Sequence, residues 1–406
     1  MKVQYRYRGK IFDDIREITQ NAKLKPDLDY ILHEYIPFQV FITGRTFFDG
    51  VTVEATCKYS AKTHKIDKVK VEDLLQQDKY CGKNRIMPDA AAVSGGLDSS
   101  MVAFAYLPEM IYTGFYKDEG YDETPYAKEV ANRITAQHIT EELTEQDFLD
   151  NIYKMPAIFG IPIGGLGSIM EYVTLKKVLE KRTTKRVLFG LGGDEIFLGY
   201  FFNRFILNFY THARHTLDYM INFRPSLDKI MESVADYMII SAMNRGGKGV
   251  LCSSFVKDSL EPILSSMLDP VDKLLFININ YTLPALLHLN QQMCKALGVE
   301  GVNPFASEQF IKNAYTLNYP IETVPKQRLR NTDWLLPADI RNNYVKRGFP
   351  IPYQGWVGLN EVIRFEYYRF RNIFGCEKVI PKYPGINRFS WAVAQASIFE
   401  AGRLRQ

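Results

Sequence analysis

Short apolar runs alternate with helix-like segments between residues 90 and 143, and this order constrains the fold more than any other feature of the chain. Strand-like runs occur at Ala90–Val93, Ile111–Phe115 and His138–Leu143, and the segments between them, Ser99–Leu107 and Pro125–Ile134, have helical character. Such alternation over short loops is typical of a doubly wound parallel sheet, whose ligand site lies at the carboxyl ends of the strands. We therefore predict an α/β fold built on a parallel sheet.

Two more elements extend this alternation. Thr144 is a cap-type residue followed three positions later by the acidic Asp147, which predicts the start of another helix. Arg186–Phe189 follows a lysine-rich helical segment and predicts one more buried strand. We assign residues 85–406 to this larger domain.

The N-terminal part of the chain has a different pattern. Aromatic and β-branched runs at Tyr35–Thr43 and Val51–Tyr59 flank the turn-like Phe48–Gly50, which predicts a small β-rich or mixed domain. Its edge is predicted between Tyr80 and Pro88, and we assign residues 1–84 to it.

Composition excludes several classes of protein. With 406 residues, of which 46% are hydrophobic, the chain can bury a substantial core. Its 50 basic and 46 acidic side chains give a net charge of +4 without a basic block, so nucleic acid is not an expected partner. The five cysteines are scattered and form no C-x-x-C pair, which indicates reduced thiols. No uncharged apolar run reaches the roughly 18 residues of a membrane span, and the expected location is cytoplasmic without a membrane partner.

The segment SGGLDSS follows the first predicted strand. Gly95 and Gly96 allow backbone conformations in which several N–H groups converge, and the helix that starts near Asp98 directs its positive end to the same place. Asp98 is the nearby charge able to hold magnesium. The same stretch supplies three hydroxyl donors, Ser94, Ser99 and Ser100. This pattern predicts a phosphate site, although ordinary turn-and-cap chemistry also uses these residue types.

Four motifs in order resemble a known family. SGGLDSS resembles the pyrophosphate loop of the N-type ATP pyrophosphatases, which split ATP into AMP and pyrophosphate while they adenylate a substrate. VLFGLGGDEIFLGY is similar to a strand–turn–helix segment of the asparagine synthetases, and MCKALGVEGVNPF and VKRGFPIPYQGW resemble two later segments. The resemblance covers residues 85 to about 360. It implies a sheet of the ATP-pyrophosphatase (adenine nucleotide α-hydrolase-like) type with extra C-terminal helices.

The resemblance also implies roles for individual residues. The cofactors would be ATP and Mg²⁺, with Asp98 and Asp194 as the metal ligands. Lys346 corresponds to a lysine that neutralises the α-phosphate region, unless it is a solvated lysine of a basic turn. Asp194 has its own alternative, as half of a solvated acidic pair at a helix start. The remaining nucleotide contacts would come from the two loops, at Ser94, Gly95, Gly96, Ser99, Ser100, Gly190, Leu191 and Gly192.

Two departures from the family pattern bear on the reaction. Lys2 occupies the position of the family's glutaminase cysteine, so the N-terminal domain is expected to be a truncated, inactive glutaminase remnant. Leu191 replaces a family glutamate that handles a proton during amidation, and leucine cannot accept one. Relatives such as the β-lactam synthetases and the lasso-peptide cyclases use an amine on the substrate as the nucleophile.

These observations predict an ATP-dependent carbon–nitrogen ligase that adenylates a carboxylate and transfers the acyl group to an amine in a specialised biosynthetic pathway. The expected partners are a small-molecule or peptide carboxylate and an amine or ammonia donor. Two alternatives stay open at this point. The chain could be an ammonia-dependent amidotransferase supplied by a separate glutaminase, or a non-catalytic nucleotide-binding subunit.

Overall fold

A computed structural model gives the fold of this chain. It describes residues 1–60, 70–80, 88–117, 122–162, 164–208, 254–266, 268–318, 326–332, 336–342 and 351–403.

A parallel sheet of five strands forms the centre of the molecule, in the order β6-β5-β4-β7-β8. The strands are β4 (Ala90–Ala92), β5 (Met110–Phe115), β6 (Gln137–Glu142), β7 (Arg186–Leu188) and β8 (Glu300–Val302). Successive strands extend the sheet from β4 toward β6, and the chain then crosses back to add β7 and β8 on the other side of β4. The strand order therefore reverses between β4 and β7, and a ligand site is expected at the carboxyl ends of these two strands. The predicted α/β fold with a doubly wound parallel sheet is confirmed.

The helices of the described ranges cover both faces of this sheet or pack outside it. In chain order they are α1 (Ile15–Thr19), α2 (Leu28–Tyr30), α3 (Ile36–Phe38), α4 (Val71–Tyr80), α5 (Leu97–Tyr106), α6 (Thr124–Ile134), α7 (Glu145–Ile152), α8 (Met155–Phe159), α9 (Gly167–Lys181), α10 (Gly193–Ile196), α11 (Ser254–Leu264), α12 (Pro270–Ile277), α13 (Leu283–Ala296), α14 (Glu308–Asn318), α15 (Gln327–Arg330), α16 (Ala338–Arg341), α17 (Val357–Ile373) and α18 (Arg388–Arg403). Thr144 caps α7 in the predicted reciprocal arrangement with Asp147, since each side chain accepts a hydrogen bond from the other residue's backbone N–H.

The hydrophobic core consists of two clusters on opposite faces of the sheet. Successive side chains of a strand point to opposite faces, and β4 follows this rule. Ala91 packs with Ile111 and helices α5 and α6 in the first cluster. Ala90 packs with Met110 and helices α7 to α9 in the second cluster, together with α17 and α18. Both faces of the sheet are therefore buried, as a parallel sheet requires.

The N-terminal residues form a small antiparallel sheet in the order β2-β1-β3, from Val3–Tyr7 (β1), Lys10–Phe12 (β2) and Val51–Ala55 (β3). The strand prediction for Val51–Tyr59 is confirmed over most of its length. The other run, Tyr35–Thr43, forms no strand, since it continues a helical stretch through α3 and then turns, so the domain is mixed.

Local chemistry explains why this apolar segment is not a strand. Pro37 has no N–H to give to a ladder. The buried Glu34 carboxylate accepts the backbone N–H of Ile42 at 2.7 Å and that of Thr43 at 3.1 Å, so these donors are not available to a neighbouring strand. A side chain outside the apolar run thus determines its conformation.

The two C-terminal helices, α17 and α18, pack side by side against the second core cluster. Polar contacts also join the two helices to each other. The Ser397 hydroxyl donates to Glu366 Oε2 at 2.7 Å, and Arg369 pairs with the same carboxylate at 3.1 Å.

Within the described ranges, no helix combines the length and apolarity needed to cross a bilayer.

Candidate active site

The loop after β4 folds tightly on itself. Gly95 has a φ of +79°, and a Cβ at this position would collide with Tyr126. The Gly96 N–H donates to Ser94 Oγ at 3.2 Å, and Ser99 Oγ donates to the Gly96 carbonyl oxygen at 3.2 Å. Helix α5 then starts at Leu97 with no capping side chain. The first turn of a helix presents N–H groups without intrahelical partners, so this loop has the features of an anion site.

The loop after β7 lies directly against the first loop. A Cβ on Gly190 would come within 2.7 Å of the Ser99 nitrogen, and a Cβ on Gly193 would come within 2.5 Å of Asp98 Cγ. Gly192 has a φ of +99°, which strongly favours glycine. Glycine is therefore required at three positions of this loop, and the two strand ends can approach each other only because these side chains are absent.

Two carboxylates meet one lysine where the loops touch. Asp98 is the second residue of α5, and Asp194 is the second residue of α10. Lys326 Nζ lies 2.7 Å from Asp194 Oδ1 and forms a second ion pair with Asp98 Oδ2. The lysine side chain is 7% exposed, and the carboxylates are 18% and 20% exposed. A Cβ on Gly199 would collide with both Lys326 and Asp194, so a fourth glycine leaves room for this contact.

Opposing effects set the charge of Lys326. Burial alone would lower the pKa of its ammonium group, but the Asp194 and Asp98 carboxylates outweigh burial and raise this pKa above its usual value. The cluster therefore holds two carboxylates and one cation, with a net charge of −1 when all three are ionised. Paired carboxylate oxygens are the ligand type that Mg²⁺ prefers. The residues present fit a magnesium ion at this point, although no group of three or more metal-binding side chains occurs in the described ranges.

A neighbouring acid is held differently. Glu195 follows Asp194 and is almost fully buried, and it accepts a hydrogen bond from the Tyr200 hydroxyl. Burial raises the pKa of Glu195 to about 7 and the charge of Asp194 adds to this, while the hydrogen bond from Tyr200 acts in the opposite direction. Of the acidic pair at the start of α10, only Asp194 thus contacts the lysine.

These loops form one wall of a cavity of about 660 Å³. Eight of the predicted site residues line it together: Ser94, Gly96, Asp98, Ser99, Gly190, Leu191, Gly192 and Asp194. Ser100 differs, because its side chain is fully buried beneath the loop. Gly95 shapes the turn without being one of the lining residues. Lys346 lies outside the described residues.

Sequence reasoning missed Lys326. It belongs to the stretch VPKQRLR, in which three basic residues in a run look like a solvated surface. Lys326 and Asp98 are 228 positions apart, and no local pattern connects them. The backbone of Lys326 has a φ of +57°, which is uncommon for a residue with a side chain, and the sequence shows no sign of this either.

Sequence reasoning also missed Glu171, which lines the cavity from helix α9. For this residue the sequence did contain a signal. Residues four and seven positions apart share one face of a helix, and Glu171 shares its face with Leu175 and Val178, both fully buried. An acid on an otherwise buried helix face indicates either a buried ion pair or a functional site.

Known proteins resemble parts of this chain. The family described as asparagine synthase matches residues 87–368, more than half of the chain. A Methanocaldococcus jannaschii protein named "Putative asparagine synthetase (glutamine-hydrolyzing) 2" is 34% identical over 119 residues, which are 28% of this chain and 23% of that protein. The Bacillus subtilis "Asparagine synthetase (glutamine-hydrolyzing) 1" is 27% identical over 118 residues, which are 28% of this chain and 18% of that protein.

A longer but weaker match comes from Mycobacterium bovis, in which another protein named as an asparagine synthetase is 23% identical over 313 residues. That match covers 68% of this chain and 47% of the relative. The chain thus corresponds to less than half the length of each of these relatives.

Proposed function

Because this chain belongs to the asparagine synthase family, we propose that it uses ATP to activate a substrate carboxylate and then joins the acyl group to a nitrogen nucleophile. A carboxylate oxygen attacks the α-phosphorus of ATP, pyrophosphate leaves, and an acyl-adenylate forms. The nitrogen then attacks the acyl carbon, and the carbon–oxygen bond to AMP breaks. Activation is required because a free carboxylate is a poor electrophile and its oxygen a poor leaving group.

The observation that carries this proposal is the convergence of Asp98 and Asp194 on one cation beside two glycine-rich loops. Backbone N–H groups at the start of α5, with the hydroxyls of Ser94 and Ser99, would receive the departing pyrophosphate. Such fixed donors stabilise charge as it develops and need no rearrangement during the reaction. Gly190 and Leu191 would contact the adenine or ribose of the nucleotide through their backbone.

Magnesium would be held by Asp98 and Asp194, and it would supply neutralisation of the phosphate charge. Lys326 is the cation that keeps these two carboxylates together before the ion and nucleotide arrive. When they bind, the ammonium group of Lys326 is within reach to contact phosphate oxygens instead. The proposed role of Lys346 is charge neutralisation near the α-phosphate, which rests on the resemblance alone.

Leu191 bears on the nitrogen source. It lines the cavity with an apolar side chain, so the residue at this position takes no proton from the nucleophile. This supports an amine-bearing substrate as the acceptor, with ammonia as the alternative donor. We further propose that this reaction is a step of a specialised biosynthetic pathway in the cytoplasm.

The test uses the purified protein with ATP, magnesium chloride and a panel of carboxylic acids that begins with aspartate. We expect carboxylate-dependent release of pyrophosphate and AMP. A carboxylate labelled with ¹⁸O should transfer one labelled oxygen to the phosphate of AMP, because that oxygen forms the bond to phosphorus. Release of ADP and inorganic phosphate, or AMP without label, would contradict the adenylation step. Nucleotide binding with no turnover on any acid would favour a non-catalytic subunit.

A further inference from the structure

Glu171 lies on the wall of the cavity formed by helix α9, which packs against strands β5 and β6. Its neighbour Tyr112 on β5 also lines the cavity, and the Tyr112 carbonyl oxygen accepts a hydrogen bond at 3.0 Å from Val93, the residue before the pyrophosphate loop. Glu171 therefore faces the same space as the two carboxylates of the candidate active site.

The acids that line this cavity differ in their partners. Asp98 and Asp194 are paired with Lys326, and Glu195 accepts a hydrogen bond from Tyr200. Glu123 also has an interaction partner. Across the ranges that the structure describes, Glu171 has neither an ion pair nor a hydrogen bond. The cavity thus contains one carboxylate whose charge nothing in the described chain balances.

Ordinary structural roles do not account for this carboxylate. Glu171 is the fifth residue of α9, beyond the first turn in which the helix dipole favours an acid. Its charge raises the pKa values of Tyr112 on β5, of Tyr116 just after this strand and of Cys294 on α13, and none of these groups is a cation.

The environment of the carboxyl supports the same conclusion. The Glu171 side chain is exposed to the cavity, and desolvation by the protein around this cavity raises the pKa of its carboxyl group to about 7. An acid with such a pKa can both hold a cation and accept a proton near neutral pH.

Apolar side chains line part of the same cavity, together with polar residues such as Ser168 and Asn290. Phe189 on the β7 loop and Leu286 and Leu289 on α13 line the cavity with partly exposed side chains. A carboxylate beside such a surface suits a ligand with a cationic nitrogen and a hydrocarbon portion.

We propose that Glu171 binds the nitrogen nucleophile as an ammonium group and accepts one of its protons, so that it replaces the base that position 191 lacks. The inference rests on the proposed amide-forming function and names its second substrate as a primary amine, with ammonia as the other source of the same ammonium chemistry.

Amide formation requires that the ammonium group lose two protons and that AMP leave. The bound ammonium gives one proton to the Glu171 carboxylate and becomes a neutral amine. Its lone pair forms the bond to the acyl carbon, and the carbon–oxygen bond to AMP breaks with its electron pair on the phosphate oxygen. The nitrogen's second excess proton goes to that phosphate, and Glu171 returns its own proton to water when the amide leaves.

The binding test needs no turnover. Calorimetric titration with n-butylammonium chloride and with ammonium chloride is carried out with and without α,β-methylene-ATP. Glu171→Gln keeps the shape and removes the charge, and Glu180→Gln on the exposed end of the same helix is the matched control. We expect Glu171→Gln to weaken binding by about tenfold or more, as for loss of a charged hydrogen bond. Glu180→Gln should bind as the unchanged protein does.

The titrations distinguish an alkylamine from ammonia as the source of the bound ammonium group. Tighter binding of n-butylammonium identifies an alkylamine acceptor, and tighter binding of ammonium identifies ammonia. Glu171→Asp, which keeps the charge, should retain part of the affinity. Saturable binding that is equal in Glu171→Gln and Glu180→Gln, or no saturable binding of either cation, would overturn the inference.

A turnover arm uses hydroxylamine, which is uncharged near neutral pH and traps acyl-adenylates without a base. With an active carboxylate, Glu171→Gln should form hydroxamate at the rate of Glu180→Gln but lose about a hundredfold or more of n-butylamide formation. Equal losses with both nucleophiles would overturn the proton-accepting role. Absence of pyrophosphate release from the unchanged protein would defeat the proposed function instead, and the binding result would still decide the cation site.

Discussion

The two ends of the cavity hold their carboxylates in opposite ways. At the loop end, Asp98 and Asp194 share the cation Lys326, and glycines allow the backbone to approach. At the helix end, Glu171 stands beside apolar side chains and has no charged or hydrogen-bonded partner in the described chain. In the first arrangement a shared cation offsets the cost of bringing two acids together, whereas in the second, one acid has no balancing charge in the described chain.

This difference fits two kinds of ligand. A carboxylate pair already occupied by an ammonium group can exchange it for a metal ion, since both are cations and the oxygens remain in place. A lone acid with a raised pKa responds to the proton and to a cationic substrate. The largest effects of substitution are expected at the loop end.

The largest effect is expected from the paired acids. Asp98→Ala and Asp194→Ala should each lower carboxylate-dependent pyrophosphate release by about a thousandfold or more, because each removes a metal ligand of the proposed site. Since the two carboxylates act as a unit, the double variant should be scarcely slower than either single variant.

The control for this comparison is Asp150→Ala, an exposed acid on α7. It should release pyrophosphate at the rate of the unchanged protein. Additive losses in the double variant would mean that the two acids act separately, and unchanged turnover in either single variant would remove it from the metal site.

The next largest effect is expected on stability, from the lysine that pairs with Asp98 and Asp194. Lys326→Met leaves two partly buried carboxylates facing each other, which should lower the free energy of unfolding by about 2 kcal/mol after allowance for their partial exposure. Magnesium chloride should then stabilise the variant more than it stabilises the unchanged protein, because the ion takes the place of the lost ammonium group.

Urea unfolding with and without magnesium measures both quantities. The exposed Lys176 on α9 supplies the control, as Lys176→Met. If magnesium stabilises Lys326→Met and the unchanged protein equally, the lysine and the metal do not share a site.

The two ends of the cavity also differ in how far the sequence predicts them. The loop end is encoded locally, since SGGLDSS and GLGGDE each follow a strand and their glycines allow the close approach. Strand order then brings the two segments together, and the family resemblance, not the α/β alternation, predicted that they meet. In the segment Tyr35–Thr43, by contrast, composition alone did not decide between strand and helix, and Glu34, outside the apolar run, takes two of its backbone donors.

Lys326 and Glu171 depend on tertiary structure instead. The ion pair between Lys326 and Asp98 spans 228 positions, and the side chain of Lys326 reaches the site from an uncommon backbone conformation. The helical face of Glu171 could be predicted from Leu175, but the absence of a partner depends on which elements surround α9. Local patterns thus predict backbone sites better than they predict the side chains that distant segments contribute.

The smallest expected effect tests the helix end through stability alone. Burial raises the pKa of Glu171 from 4.5 to about 7, so the folded protein keeps this proton at pH values where the unfolded chain loses it. As pH rises from 5 to 8, ionisation therefore lowers the free energy of unfolding, and the penalty is fully present above the folded pKa. Glu171→Gln cannot ionise and should escape this penalty.

We expect Glu171→Gln to be more stable than the unchanged protein by roughly 1 kcal/mol at pH 8, a value reduced because water reaches the side chain, and the difference should vanish toward pH 5. The groups that face Glu171 do not add to this slope. Burial raises the pKa of Cys294 to about 12 and raises the pKa values of Tyr112 and Tyr116 as well, so these groups stay neutral over the range. Urea unfolding at each pH, with Glu180→Gln as control, measures the difference. A stability difference between Glu171→Gln and the unchanged protein that does not depend on pH would show that Glu171 is already ionised at pH 5, and the contrast between the two ends would then not involve the proton.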